Sequence, residues 1–131
     1  MAGKKIIIAI DDDPVVLGVL TSLLTPDYDL RISKSAAAAS ILMDKVTPDL
    51  ILLDIEMPNI SGFEFLHTIK KDPKFMNVPV VIVSGHYEPA FIEHAKKGGA
   101  NGVVGKPVNA EKLLQTIKDA FLNPVSNIFG L

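Results

Sequence analysis

Cysteine is absent from the 131 residues, which excludes thiol catalysis and thiolate metal sites and is compatible with a reducing compartment. A basic excess is missing too. The 13 Lys and Arg against 15 Asp and Glu leave a formal charge of −2 and a pI near 5.9, which offers no electrostatic footprint for direct nucleic-acid binding. No apolar run reaches the roughly 18 residues a membrane span needs. The apolar stretch after Met1-Ala2-Gly3-Lys4-Lys5 is too short for a secretory signal. A cytoplasmic protein with no membrane partner is therefore expected. Neither GxGxxG nor GxxxxGK[ST] follows a strand, so dinucleotide and P-loop chemistry lack their phosphate cradle. No Ser-His-Asp arrangement is suggested, and no repeat, linker or low-complexity segment divides the chain. What remains is a 14.1 kDa chain, 48% hydrophobic and 21% charged, enough to bury one core without disulfide or metal staples.

That core is announced by Leu50-Ile51-Leu52-Leu53-Asp54, followed by Ile55-Glu56-Met57-Pro58. Consecutive aliphatic residues without alternation fit a strand covered on both faces, as in a parallel sheet between helices. Ile6 to Ile10 repeats the pattern and ends in Asp11-Asp12-Asp13-Pro14, where Asp13 suits a helix N-cap and Pro14 the first turn. The helix that follows spaces Val15, Val16, Val19, Leu20, Leu23 and Leu24 along one stripe and stops before Pro26. Tyr28 to Ser33 reads as a short strand. Ser35 then caps an alanine-rich helix with Ile41 and Leu42 inward, broken at Pro48.

After the turn Pro58-Asn59-Ile60-Ser61-Gly62 comes a helix carrying Phe63, Phe65, Leu66 and Ile69 and ending in cations near Lys70-Lys71. Val78 to Val83 reads as a fourth strand, closed by Ser84-Gly85-His86. A helix over Pro89 to Lys97 stops at Gly98-Gly99. Asn101 to Val104 makes a fifth strand before Gly105-Lys106-Pro107. Asn109 caps a last helix with Leu113, Leu114, Ile117 and Phe121 inward. Five β-α units with right-handed crossovers predict an α/β class, doubly wound (βα)5 sandwich. Strand order is not fixed by the pattern; the common 2-1-3-4-5 order would set strands one and three side by side at the switch point. The domain is expected over 1–122, with 123–131 a C-terminal tail or the start of a linker; Ile128 and Phe129 are candidates for docking on the body.

In that order Asp11 and Asp12 lie beside Asp54, with Ser84 and Lys106 arriving from strands four and five, at the end of an open sheet where ligands bind. Clustered carboxylates raise the pKa of at least one member unless a cation sits among them. Oxygen ligands without His or Cys favour a hard ion such as Mg²⁺. Three carboxylates and one lysine leave −2, which a divalent cation cancels, so the site can then receive a dianion. A carboxylate nucleophile accepts a phosphoryl group when metal and ammonium neutralise its equatorial oxygens.

Asp11-Asp12 after the first strand, Asp54 followed by Met57-Pro58 and Gly62, Ser84 after the fourth strand, Gly99-Ala100 before the fifth and Lys106-Pro107 after it stand in order over residues 4 to 122. Together they resemble a receiver domain of two-component response regulators. The resemblance implies the flavodoxin-like 2-1-3-4-5 order of the chemotaxis member. It implies Asp54 as phosphoacceptor, fed by a sensor histidine kinase or phosphotransfer protein. Asp12, Asp54 and the main-chain carbonyl of Glu56 would hold Mg²⁺, with Asp11 acting largely through water. Lys106 and Ser84 would bind the phosphoryl group, and Lys106-Pro107 would be cis. Output would pass to a downstream protein partner or to an effector domain outside this sequence, since no DNA-binding or catalytic effector follows residue 122.

The chain departs from the family pattern at Val103, where many receivers carry a Tyr or Phe that turns inward, and at Val108, another frequent aromatic position. Glu56 and His86 flank the acceptor and are placed to steer or block attacking water. His67 and His94 read as exposed surface, and Tyr87, Phe91 and Ile92 as core or surface side chains of the fourth helix. Two rivals remain distinguishable: a receiver-like binding module that is never phosphorylated, and a Mg²⁺-dependent aspartate-nucleophile phosphatase. The phosphatase wants a second Asp where Glu56 stands and has no cap insertion to enclose a substrate.

Overall fold

The computed structural model describes residues 3–57 and 61–123. Strands β1 (Ile6–Ile10), β2 (Asp29–Ser33), β3 (Leu50–Asp54), β4 (Val80–Ser84) and β5 (Gly102–Gly105) alternate with helices α1 (Pro14–Leu24), α2 (Ala36–Lys45), α3 (Gly62–Lys71), α4 (Pro89–Lys97) and α5 (Ala110–Leu122). All pairings are parallel, and the strand order is 2-1-3-4-5.

The unbroken apolar runs have a simple cause. Ile8, Ile10, Ile51, Leu53, Val80 and Ile82 face a core closed by α2, α3 and α4, while Ile7, Ala9, Leu50, Leu52, Val81 and Val83 face one closed by α1 and α5. Every residue of β3 and β4 is buried. Each such aliphatic side chain gains about 1.5–3 kcal/mol on leaving water, so the three central strands form a rigid floor whose carboxyl ends are fixed in space.

Caps expected from sequence are formed: Asp13 accepts from Val15 N, Ser35 from Ala38 N and Asn109 from Lys112 N. Gly99 takes a left-handed φ of 107° after α4, and its Cα packs close to the stem of Lys70. Burial pulls the Lys70 ammonium down to about 8, where it donates to the carbonyl of Val78 at 2.8 Å.

Two helix faces differ from the sequence reading. In α1 the buried stripe is Leu17, Leu20 and Leu24, while Val15 is 72% exposed and Val19 also faces solvent. In α2 the inward residues are Ala36, Ala39 and Met43, with Leu42 partly buried and Ile41 62% exposed. Strand limits also move. β4 begins at Val80 because Pro79 has no N–H to pair, and it extends to include Ser84; β5 runs from Gly102 to Gly105. Tyr87 precedes α4 and is part of the loop after β4. The expected turn residues Pro58, Asn59 and Ile60 and the tail from residue 124, with Ile128 and Phe129, lie outside the described residues.

Candidate functional site

Register alone assembles the site. Ile10 pairs with Leu53, so Asp11 and Asp54 follow as neighbours; Asp54 pairs with Val83 and Ser84 with Gly105, which sets Lys106 at the end of the row. Four adjacent strand ends thus deliver two acids, a hydroxyl and an ammonium to one place.

Asp11 and Asp54 are each only 2% exposed, Ser84 is fully buried, and Asp12 is exposed at the rim. Lys106 Nζ lies 3.2 Å from both Asp11 Oδ2 and Asp54 Oδ1. The amide of Asp13 donates to Asp11 Oδ1 at 2.9 Å, and the amide of Glu56 donates to Asp54 Oδ1 at 3.1 Å. Ser84 Oγ accepts from His86 N at 3.0 Å, and its carbonyl accepts from Lys106 N at 2.8 Å. The Lys106-Pro107 bond is cis.

Gly62 holds the carboxyl end of β3 in place. The amide of Gly62 donates to the carbonyl of Ile55 at 3.1 Å. A Cβ at this position would stand 2.5 Å from Ile55 Cα and 2.7 Å from the carbonyl oxygen of Asp54. Only glycine lets the start of α3 press this closely on β3. Ser61 caps the helix by accepting from Phe63 N.

One oxygen from each of Asp11, Asp12 and Asp54 can be gathered within 4.8 Å. Among the described residues Asp11 Oδ2 is enclosed without a well-formed hydrogen bond; its one close cation is the Lys106 ammonium, 3.2 Å away. Burial, reinforced by the charge of Asp54, pushes the Asp11 carboxyl above the ordinary range, against the opposing pull of the Asp13 amide and Lys106. An under-coordinated buried oxygen in an all-oxygen donor set is what a hard divalent cation relieves, so the residues present fit Mg²⁺.

The raised Asp11 pKa has a thermodynamic sign. Between the ordinary carboxylate value and the raised folded value the folded protein binds more protons than the unfolded chain, so this contribution to stability is lost as pH rises through the folded pKa. Asp11→Asn keeps an acceptor for the Asp13 amide and removes the charge. It is expected to raise the melting temperature in metal-free neutral buffer, flatten this pH dependence and reduce stabilisation by added Mg²⁺. Thermal unfolding with and without Mg²⁺ across acidic to neutral pH checks all three.

The flanking residues named from the sequence complete the mouth, through contacts that spacing did not specify. The Glu56 side chain turns to His86, with Oε2 2.9 Å from Nε2. His86 packs beside Phe91, Phe91 beside Phe63, and Phe63 against the edge of His94, with centroid separations of 5.9, 5.5 and 4.6 Å. The exposed reading of His94 holds, but its ring contact with Phe63 was not foreseeable from spacing. Val103 is buried opposite Ile82. The half-exposed ring of Tyr87 lies over Gly105, two residues further along.

A parallel α/β sandwich with an acidic pocket and one ammonium at its central strand ends defines a class of small doubly wound domains with a charged site at the carboxyl edge of the sheet. Residues 7–118 match the family model of the response regulator receiver domain, and the chain belongs to that family. It is 27% identical over 115 residues to the polar-differentiation response regulator DivK of Brucella ovis, covering 87% of this chain and 94% of the relative. The structure is similar to chemotaxis protein CheY4 of Vibrio cholerae, with a TM-score of 0.83 at 25% identity over 88% of this chain and 98% of that one. It also resembles a CheY-like receiver domain protein of Methanospirillum hungatei, with a TM-score of 0.82 at 25% identity over 93% of this chain and 97% of that one.

Proposed function

We propose that this receiver is a cytoplasmic phosphoacceptor switch in which Asp54 takes a phosphoryl group from a phosphohistidine on a sensor histidine kinase or phosphotransfer protein. The observation that carries this reading is the Lys106 ammonium shared between two buried carboxylates at 3.2 Å. Asp54 Oδ1 already receives the Glu56 amide and the Lys106 ammonium, whereas no hydrogen bond from a described residue reaches Oδ2. Oδ2 is thus the free nucleophile: it forms the new P–O bond as the P–N bond of the donor breaks, and the imidazole keeps the electron pair and takes up a proton.

Asp12, Asp54 and the main-chain carbonyl of Glu56 would hold Mg²⁺, with Asp11 largely through water; bound there, the ion neutralises charge on the phosphoryl oxygens. Lys106 supplies the opposing positive charge, and the Ser84 hydroxyl donates to a phosphoryl oxygen. The domain spans 1–122, with 123–131 a tail or linker. Charge added at Asp54 pulls on Ser84 and Lys106 and biases the loops they anchor toward a second arrangement read by a downstream protein partner, or by an effector domain joined beyond this sequence. Val103 has no ring to reorient, so the bias travels without an aromatic at that position.

The reaction is the protein's own phosphorylation and dephosphorylation, without turnover of an external substrate. A phosphatase would need a general acid where Glu56 stands, and that carboxylate is engaged by His86. Addition of Mg²⁺ with beryllofluoride, an analogue of the phosphoryl group, tests the reading. Saturable shifts in amide resonances around residues 54, 84 and 106, together with no turnover of a phosphomonoester, are expected. An unperturbed spectrum supports the non-phosphorylated binding module instead.

A further inference from the structure

We propose that the slot between α2 and α3 is a docking site for a partner protein, which inserts one arginine with its stem on the apolar floor and its guanidinium at the acids of the rim. The slot exists because α2 turns alanines and a methionine, not bulkier side chains, toward the sheet. Met43, Phe65, Ile69 and Phe75 make its floor and are all buried. Ser40 and Thr68 form its walls and are exposed. Its volume is about 100 Å³. Pockets that take a whole small molecule run to about 300–1,000 Å³, so this one suits a single side chain.

Asp44 and Asp72 complete the lining. Among the described residues the Asp44 carboxylate has no hydrogen bond or ion pair, and that of Asp72 accepts only from the amide of Lys74, at 2.9 Å. The chain's own cation beside them does not neutralise them: the Lys74 ammonium lies over the Phe75 ring, 5.9 Å from its centroid. An apolar floor under two carboxylates without a counter-charge matches a side chain with a methylene stem and a cationic head. Arginine fits better than lysine, because its planar fork can serve two carboxylates at once. Ile41 follows Ser40 on α2 and Met76 follows Phe75, and both are exposed. They extend the apolar surface past the slot, further than a free amine or guanidine would cover, so the occupant belongs to a protein.

Most of the lining falls toward the carboxyl ends of α2 and α3. In a parallel sandwich that is the amino edge of the sheet, whereas Asp54 and Lys106 stand at the carboxyl edge. A partner held in the slot leaves the mouth of the acceptor site open to its phosphoryl donor. The slot therefore anchors the domain to a partner whatever the state of Asp54, and it does not depend on the phosphoacceptor reading.

The test titrates the protein with a fluorescent peptide carrying one arginine between leucines, and with the same peptide carrying citrulline, the neutral isostere of arginine. Anisotropy reads the affinity and amide resonances read the place. The arginine peptide is expected to bind about five-fold tighter than the citrulline peptide, as solvent-exposed ion pairs allow, with shifts confined to residues 40–44, 65–72 and 75–76. The double variant Asp44→Asn with Asp72→Asn, which keeps an acceptor for the Lys74 amide, should remove that advantage. Ser40→Leu, which fills the slot from α2, should weaken both peptides. Mg²⁺ with beryllofluoride, or Asp54→Asn, should leave the affinity unchanged. Equal binding of the two peptides, shifts on another face, or an advantage that survives the asparagine variants overturns the docking site. Binding of N-propylguanidinium without binding of the arginine peptide assigns the slot to a free cation and overturns it as well. Peptide affinity lost on adding beryllofluoride contradicts the anchoring role, whereas intact peptide binding with no response to beryllofluoride overturns the phosphoacceptor reading alone.

Discussion

Lys106→Met is expected to lower the stability of the metal-free protein by about 3 kcal/mol, the usual cost of leaving a buried charge without its partner, and to slow phosphoryl uptake about a hundred-fold. Methionine keeps the length of the stem, so the loss is of charge. Without the ammonium, Asp11 and Asp54 face one another at the strand ends with no counter-charge from the protein. Burial works against the charge on Lys106, but the two carboxylates outweigh it and hold its pKa above the ordinary value. The sign follows: this stabilisation is complete below the ordinary lysine pKa and is lost only as pH rises through the raised value, so it is fully present at neutral pH. Mg²⁺ takes over part of the neutralisation, and binding to the folded state alone stabilises it by mass action. Denaturation of the variant should therefore show a larger stabilisation by Mg²⁺ than wild type shows, while uptake from phosphoramidate stays slow. A variant as stable as wild type without metal would mean that the lysine is solvated and not shared.

Gly62→Ala carries the second large effect, and it acts through backbone. The added methyl would fall 2.5 Å from Ile55 Cα and 2.7 Å from the Asp54 carbonyl oxygen, and neither neighbour is a flexible side-chain tip that can move aside. Alanine favours a helix interior, so propensity predicts a gain. Overpacking against main chain outweighs it, and a net loss of about 2–3 kcal/mol is expected. Relief comes only from lifting the start of α3 off β3, which also shifts the Glu56 amide that holds Asp54. Urea unfolding should report the stability loss, and labelling should report slower uptake even where the variant is fully folded. A neutral effect on both would show that the close approach is not maintained in solution.

These contrasts indicate which parts of the molecule were legible from sequence. The central strands were plain, because β-branched and aliphatic runs with no polar interruption suit only a sheet buried on both faces. The acids, hydroxyl and lysine at their ends were plain for the same reason, since a strand end is marked by the first residue that cannot join the core. Strand order was not in the pattern and came through resemblance. Helix orientation was poorly legible in α1, where PVVLGVLTSLL carries no charge and apolar side chains occur around the whole circumference; burial then picks Leu17 over Val15 by packing, not by periodicity. In α2, alanines and a methionine fill the narrow space over the sheet, and Ile41 is left outside.

Within the site, spacing could indicate which residues converge but not which atoms bond. That Glu56 supports Asp54 through its amide and turns its carboxylate to His86 depends on loop conformation, which the flanking residues do not determine locally. Gly62 stood out in the sequence as part of the family motif, and its physical reason is visible only where the α3 backbone crosses β3.

The most direct measurement is intact-mass analysis with peptide mapping after incubation with phosphoramidate and Mg²⁺. Wild type is expected to gain the mass of one phosphoryl group, lost again on standing, mapped to the peptide containing Asp54 and absent from Asp54→Asn. Modification at another residue, or none at all in folded, Mg²⁺-loaded wild type, would contradict the role of Asp54 as the acceptor.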